Sequence, residues 1–352
     1  MISMLVARIP FLNCLSLSLL VMSGMLDACP LCLGFTRKDP TLADDVIAAR
    51  DVVLAKVGRG AEGLEVESVI KGGAVLSGLH LTVPEAKEEG AYLLTRLDET
   101  SAWKTQGKST VSFATFLPKL TGLSGKPSTD AEWVARMTAM RPFIAHPDPR
   151  IARSAWMMWA EAPYHVVKGE ARQFDRLQLR QWLADPAMAG QSSLWLVLLG
   201  TIGNDEDTSW LAAQSEAAWK AGSDKQLAAL LAAFIARRGI EAVDFIEQHY
   251  IRDRERTLEE IQAALSALGL HGREAPAEMR PRVLASYRLF MAERKPLAGL
   301  VARDLAEWKQ WEFAPMFQAM LASRDPLHPT ARAAINDYLR VLPKPPSSTL
   351  TP

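Results

Sequence analysis

Cys29 and Cys32, with only Pro30 and Leu31 between them, form the sharpest chemical pattern in the sequence. Two intervening residues allow a short-loop disulfide, and in redox enzymes the same spacing exchanges electrons when the first thiolate sits at a helix N-terminus. Here Thr36-Arg37-Lys38-Asp39-Pro40 separates the pair from the next helical pattern and no strand precedes it, so a thioredoxin-like setting is missing. A structural bridge is the favoured reading. Thiol exchange, lipidation, and metal or partner binding stand as its alternatives. Haem attachment would need a histidine where Leu33 stands.

Other chemistries find less support. The six histidines, His80, His146, His165, His249, His271 and His328, are scattered, with no pair four apart and no H-E-x-x-H, so they are read as surface or cap residues. Gly107-Lys108-Ser109 has Ala102 where a phosphate-binding loop needs glycine, and Gly125-Lys126 runs into Pro127. No G-x-S-x-G elbow anchors a hydrolase triad. Acidic doublets such as Asp44/Asp45 and Glu259/Glu260 point in different directions and are read as solvated faces. No catalytic residue, no metal ligand and no cofactor is therefore expected. Most of the ten tryptophans are expected between helices, but Trp308 and Trp311, spaced i and i+3, are singled out as a possible partner-binding pair.

Length and composition set the frame. A chain of 352 residues, 49% hydrophobic and 23% charged, predicts an ordinary globular protein of two domains. Forty basic residues balance forty acidic ones, and no basic run carries interleaved aromatics, so nucleic acid is not expected as a partner. Arg8, the apolar run Leu12 to Met22 and the small Ala28 read as a secretory signal over residues 1–28, too short for a comfortable span of ~20 residues. Cys14 would leave with it, and Cys29 would begin the mature chain, where a lipid anchor is an open alternative. The protein is expected to be exported to the periplasm, envelope or exterior, without a membrane span in its mature part.

The elements follow from patterning. Thr41 to Ala49 predicts a short helix, and strands are expected at Asp51–Val57, Leu64–Ile70, Leu79–Val83, Tyr92–Leu97 and Thr110–Leu117. Five short strands with Gly and Pro turns point to a small closed barrel, because closure removes exposed edges. Arg50-Asp51-Val52-Val53-Leu54-Ala55-Lys56-Val57, Glu65-Val66-Glu67-Ser68-Val69-Ile70-Lys71-Gly72 and Gly90-Ala91-Tyr92-Leu93-Leu94, after a cysteine near the mature N-terminus, resemble the netrin-like, or tissue-inhibitor-of-metalloproteinase-like, OB-fold domain. The resemblance covers residues 29 to 100. It implies an inhibitor-like role for Cys29, chelating the zinc of a target protease. The group usually has Cys-x-Cys paired with later cysteines, and this chain has Cys-x-x-Cys and no later cysteine.

Leu123 to Ser128 reads as the linker, and Thr129-Asp130-Ala131-Glu132 as a capping box opening a helical region. In His146 to Pro163, Asp148 caps a helix beginning at Pro149, with Ile151, Ala155, Trp156 and Trp159 on one face. Further helices are expected to the end of the chain, among them Lys225–Arg238 stopped by Gly239, Arg256–Leu268 closed by Gly269, and Leu297–Trp311. Asp148-Pro149 and Asp185-Pro186 lie 37 residues apart, close to a HEAT-like unit of ~40. Cys-Pro-x-Cys after a signal, His-Pro-Asp-Pro, and Asp304-Leu305-Ala306-Glu307-Trp308-Lys309-Gln310-Trp311 together resemble uncharacterised exported proteins of planctomycete-type bacteria.

The expected protein is thus α+β and multidomain. Its parts are a signal at 1–28, a small OB-like β-barrel at 29–124, an all-α HEAT-like solenoid at 129–342 and a flexible tail at 343–352. Its expected function is protein interaction or scaffolding. Protease inhibition through Cys29 and envelope thiol-disulfide exchange through Cys29 and Cys32 are the alternatives.

Overall fold

The computed structural model describes residues 39–57, 63–86, 88–123, 125–275 and 277–343. Cys29, Cys32, the expected signal at 1–28 and residues 344–352 of the expected tail lie outside them. Helix α1 (Leu42–Ala48) opens at Thr41, whose hydroxyl accepts from the Asp44 amide while the Asp44 carboxylate accepts from the Thr41 amide. Five strands follow: β1 (Asp51–Val57), β2 (Leu64–Lys71), β3 (His80–Leu81), β4 (Ala91–Arg96) and β5 (Lys104–Lys108). They form one antiparallel sheet in the order β3-β2-β1-β4-β5.

The sheet is curled but open, which corrects the expected OB-like barrel. Its end strands β3 and β5 do not pair. β3 is only two residues long and leaves no ladder to close with. The outer side of β5 is met by Arg150, whose Nη1 donates to the carbonyls of Gln106 (3.1 Å) and Lys108 (3.0 Å). A strand at 110–117 was also expected, but Phe113–Thr121 is helix α2, with Phe113, Phe116, Leu117 and Leu120 buried at helical spacing. Burial of that stripe overrides local β-propensity. The true fifth strand, Lys-Thr-Gln-Gly-Lys, carries no apolar alternation because it is an edge.

The chain then becomes helical: α3 (Asp130–Met140), α4 (Pro149–Ala160), α5 (Tyr164–Glu170), α6 (Arg176–Ala184), α7 (Ser192–Ile202), α8 (Asp205–Ala221) and α9 (Leu227–Arg238). After these come α10 (Ile240–Ile246), α11 (Leu258–Glu274), α12 (Arg280–Glu293), α13 (Ala302–Glu307), α14 (Ala314–Ala322) and α15 (Pro329–Arg340). The HEAT-like period does not mark equivalent units. Asp148-Pro149 starts a twelve-residue α-helix, Asp185-Pro186 starts a six-residue 3-10 segment, and near Asp325-Pro326 the helix starts instead at His328-Pro329. Helix lengths run from six residues in α13 to seventeen in α8 and α11, so the array is irregular. The coarse α+β layout holds.

Alternation on the strands divides the core. Val52 and Leu93 point from β1 and β4 into a large apolar cluster that also holds Leu42, Trp133, Trp159, Leu231, Phe290 and Tyr338. Val53, Ala55, Leu64, Val66, Tyr92 and Leu94 point the other way and form a second cluster inside the curl, with Leu76 and Val83. One face of the sheet therefore shares its core with the helices. The start of α4 fastens the two. Asp148 caps the helix through the Arg150 amide (3.0 Å) and pairs with the Arg150 guanidinium (2.7 Å), which also lies 4.7 Å over the Phe113 ring. One turn on, the Ser154 hydroxyl donates to the Arg150 carbonyl (2.7 Å) and accepts from the Ala43 amide (3.2 Å).

Candidate anion-binding groove

A groove of about 760 Å³ lies between α5 with the turn after it and the C-terminal end of α7, lined by His165, Lys168, Gly169, Arg172, Thr201 and Ile202. Its geometry begins with which faces are buried. α5 turns Tyr164, Val166 and Val167 inward, which leaves His165 and Lys168 outward. A 3-10 turn, Ala171–Gln173, continues the helix and buries Ala171 while exposing Arg172. Phe174 anchors that turn by packing edge-on to Trp159 at 4.9 Å and against Trp182 at 6.3 Å. Trp182 and Trp195 are in turn 4.6 Å apart. The opposite wall is held as firmly, because Gly200 lets α7 approach α9 so closely that a Cβ there would lie 2.7 Å from the Ala233 Cα.

Charge in the groove is one-sided. His165 Nε2 sits 2.9 Å from Asp130 Oδ2 at the start of α3. Lys168 and Arg172 form no ion pair among the described residues. Thr201 Oγ1 donates to the Val197 carbonyl (3.0 Å), so towards the groove it offers only lone pairs. Beyond Lys168, on α11, His271 is buried with Nε2 2.8 Å from the Ala232 carbonyl. A carbonyl only accepts, so this nitrogen carries the proton. Burial, reinforced by the Lys168 charge, pushes His271 down to about 4, and it stays neutral at neutral pH.

The second place where ionisable groups converge is a clasp between α11, α12 and α13. The buried Tyr287 hydroxyl donates to Asp304, Arg273 Nη2 lies 3.6 Å from the Asp304 carboxylate, and it donates to Glu307 at 2.9 Å. Burial raises the Asp304 carboxyl above its usual range, outweighing the Tyr287 bond and the Arg273 charge, and holds the Tyr287 phenol well above its own. The clasp explains a departure from expectation: α11 does not stop at Gly269 but runs on through Gly272 to Glu274. A Cβ at Gly269 would strike Asp304 and lie 2.9 Å from the Tyr287 hydroxyl, and one at Gly272 would strike the Trp308 ring. These glycines are contact positions, not caps.

The tryptophans singled out from sequence fall around this clasp. Trp308 is 7% exposed, stacked on Tyr287 with rings 2° from parallel and 5.7 Å apart, and lies under Arg280 at 5.1 Å. Trp311 is half-buried against Tyr338 at 5.5 Å. The expected helix from Leu297 to Trp311 is broken: a 3-10 stretch, Lys295–Val301, precedes α13, and Lys309 takes a left-handed φ of 57° after it. The pair thus sits on separate elements. Lys168 and Arg172 were not singled out from the sequence. Their only signal is that His165, Lys168 and Arg172 recur at i, i+3 and i+7 with no acid at i+4 to oppose them.

Among the described residues, no group of three or more His, Cys, Asp or Glu is arranged to hold a metal, and no helix is long and apolar enough to cross a membrane. No family model, no curated protein and no solved structure matches the chain.

Proposed function

We propose that this is an exported interaction protein that binds an anionic partner in the groove between α5 and α7. The observation that carries the reading is the pair Lys168 and Arg172, two cations facing one concave surface without counter-ions among the described residues. Like charges a turn apart on a helix repel, so their placement costs stability that an anionic partner would recover. Export is supported by Arg8 and the apolar run Leu12 to Met22.

Titrating the full chain with fluorescein-labelled poly-glutamate tests the reading. Binding should weaken steeply between ~0.05 and ~0.2 M salt, as the screening length contracts. Lys168→Gln and Arg172→Gln together should lower affinity by about tenfold with a melting temperature that is the same or slightly higher, since each is an exposed charge and their mutual repulsion is relieved. Equal binding by the double variant would remove the groove as the site.

A further inference from the structure

The arrangement of donors and acceptors goes further than charge. We infer that the groove takes an extended acidic polypeptide segment carrying two carboxylate side chains two residues apart, an inference that rests on the anionic-partner reading above.

The two cations arise from backbone positions spaced along one helix axis, not from converging elements. Lys168 lies in α5 and Arg172 in the 3-10 turn that continues it. With rises of ~1.5 Å and ~2 Å per residue in the two kinds of turn, the four steps between them cover roughly 6–7 Å. Two residues of extended chain also advance ~6.6 Å and return the side chain to the same face. A segment running along α5 would set alternate carboxylates opposite Lys168 and Arg172. A lone phosphate would need several donors converging on one position, and a linear pair does not provide that.

The facing wall adds an independent reason. With its proton committed to the Val197 carbonyl, Thr201 presents only an acceptor, and Ile202 beside it is apolar. Phosphate presents mainly acceptor oxygens, which meet the lone pairs of this wall less favourably than an N–H donor does. A polypeptide has backbone N–H groups for Thr201 and carbon atoms for Ile202. Between the two cations, Gly169 adds no side chain, and a Cβ built there meets nothing within 4 Å. The groove is therefore open to a backbone where a larger residue would fill it.

Fluorescence anisotropy of the full chain tests this with three probes. They are a Pro-flanked peptide with two glutamates two residues apart, the same composition with glutamates five apart, and inorganic phosphate as competitor. The two-apart peptide should bind about fivefold tighter than the five-apart one, phosphate should not displace it at equal charge concentration, and Lys168→Gln or Arg172→Gln should each weaken it by about threefold. Gly169→Ala should weaken the peptide while raising the melting temperature, because alanine favours the helix and clashes with nothing in the free protein. That opposition separates a filled groove from a damaged fold. If both peptides bind alike and still depend on Lys168 and Arg172, the extended-segment inference falls and the anionic reading stands. Displacement by stoichiometric phosphate overturns the inference in favour of a phosphate ligand. If neither peptide nor phosphate binds in a way that depends on the two cations, both readings fall.

Discussion

His271 shows how one buried side chain sets a pH dependence for the whole protein. Its folded pKa lies near 4, below the 6.5 of a free histidine, because burial penalises the charged ring. Above about 6.5 both the folded and the unfolded chain hold it neutral and its contribution is complete. As pH falls from 6.5 towards 4, the unfolded chain takes up the proton and the folded one does not, so stability is lost over that window. The full difference is about 3 kcal/mol, at 1.4 kcal/mol per unit. His271→Gln keeps an N–H for the Ala232 carbonyl and cannot titrate. Urea midpoints measured from pH 7 to pH 5 should therefore fall less in the variant than in the natural chain. Parallel curves would mean that His271 does not carry the effect.

At the scale of elements, the start of α4 decides how the sheet ends. β5 is an edge strand with outward carbonyls, and the Arg150 guanidinium occupies two of them while Asp148 orients it. Gly107 takes a left-handed φ of 91°, and a Cβ there would press on Arg150 Nη1 at 3.0 Å, so the strand is shaped to receive this side chain. Arg150→Met retains much of the aliphatic packing over Phe113 and removes the donors. The expected cost is about 2 kcal/mol, the range for charge-assisted hydrogen bonds, seen as a lower denaturation midpoint. The freed edge should also show concentration-dependent association by light scattering. An unchanged midpoint would make the contact incidental. The same stretch illustrates what is legible locally: Asp148-Pro149 and Thr129-x-x-Glu132 announce helix starts because their bonds close within a few residues. Gly269 misleads because its reason, the clasp with Tyr287 and Asp304, lies on other helices.

For the molecule as a whole, the large core runs without a gap from Leu42 in α1, through Val52 and Leu93 of the sheet, to Tyr338 in α15. Elements that share buried contacts open together. Native-state hydrogen exchange should give amides in the middle of β1 and β4 protection free energies within about 1 kcal/mol of those in α4 and α9, as expected of one cooperative unit. Sheet amides exchanging a hundredfold faster than the helical ones would show that the sheet opens independently.

What the sequence determined by itself is what short-range physics determines: strands in the first third, helices after Thr129, the caps at Thr41, Thr129 and Asp148, and the stop at Gly239. Each depends on hydrogen bonds or periodicity within a turn or two of chain. Tertiary structure alone decided that the sheet stays open, that Lys104–Lys108 is a strand and Phe113–Thr121 a helix, and that Trp308 is stacked in the clasp. It also decided that Lys168 and Arg172 face Thr201 across a groove. Those outcomes depend on Arg150 meeting β5, Tyr287 meeting Asp304, and Gly200 admitting α9, which are contacts between residues 17 to 44 positions apart in sequence. Spacing along one chain carries no record of such meetings, because the energy that selects them exists only once the partners are packed together.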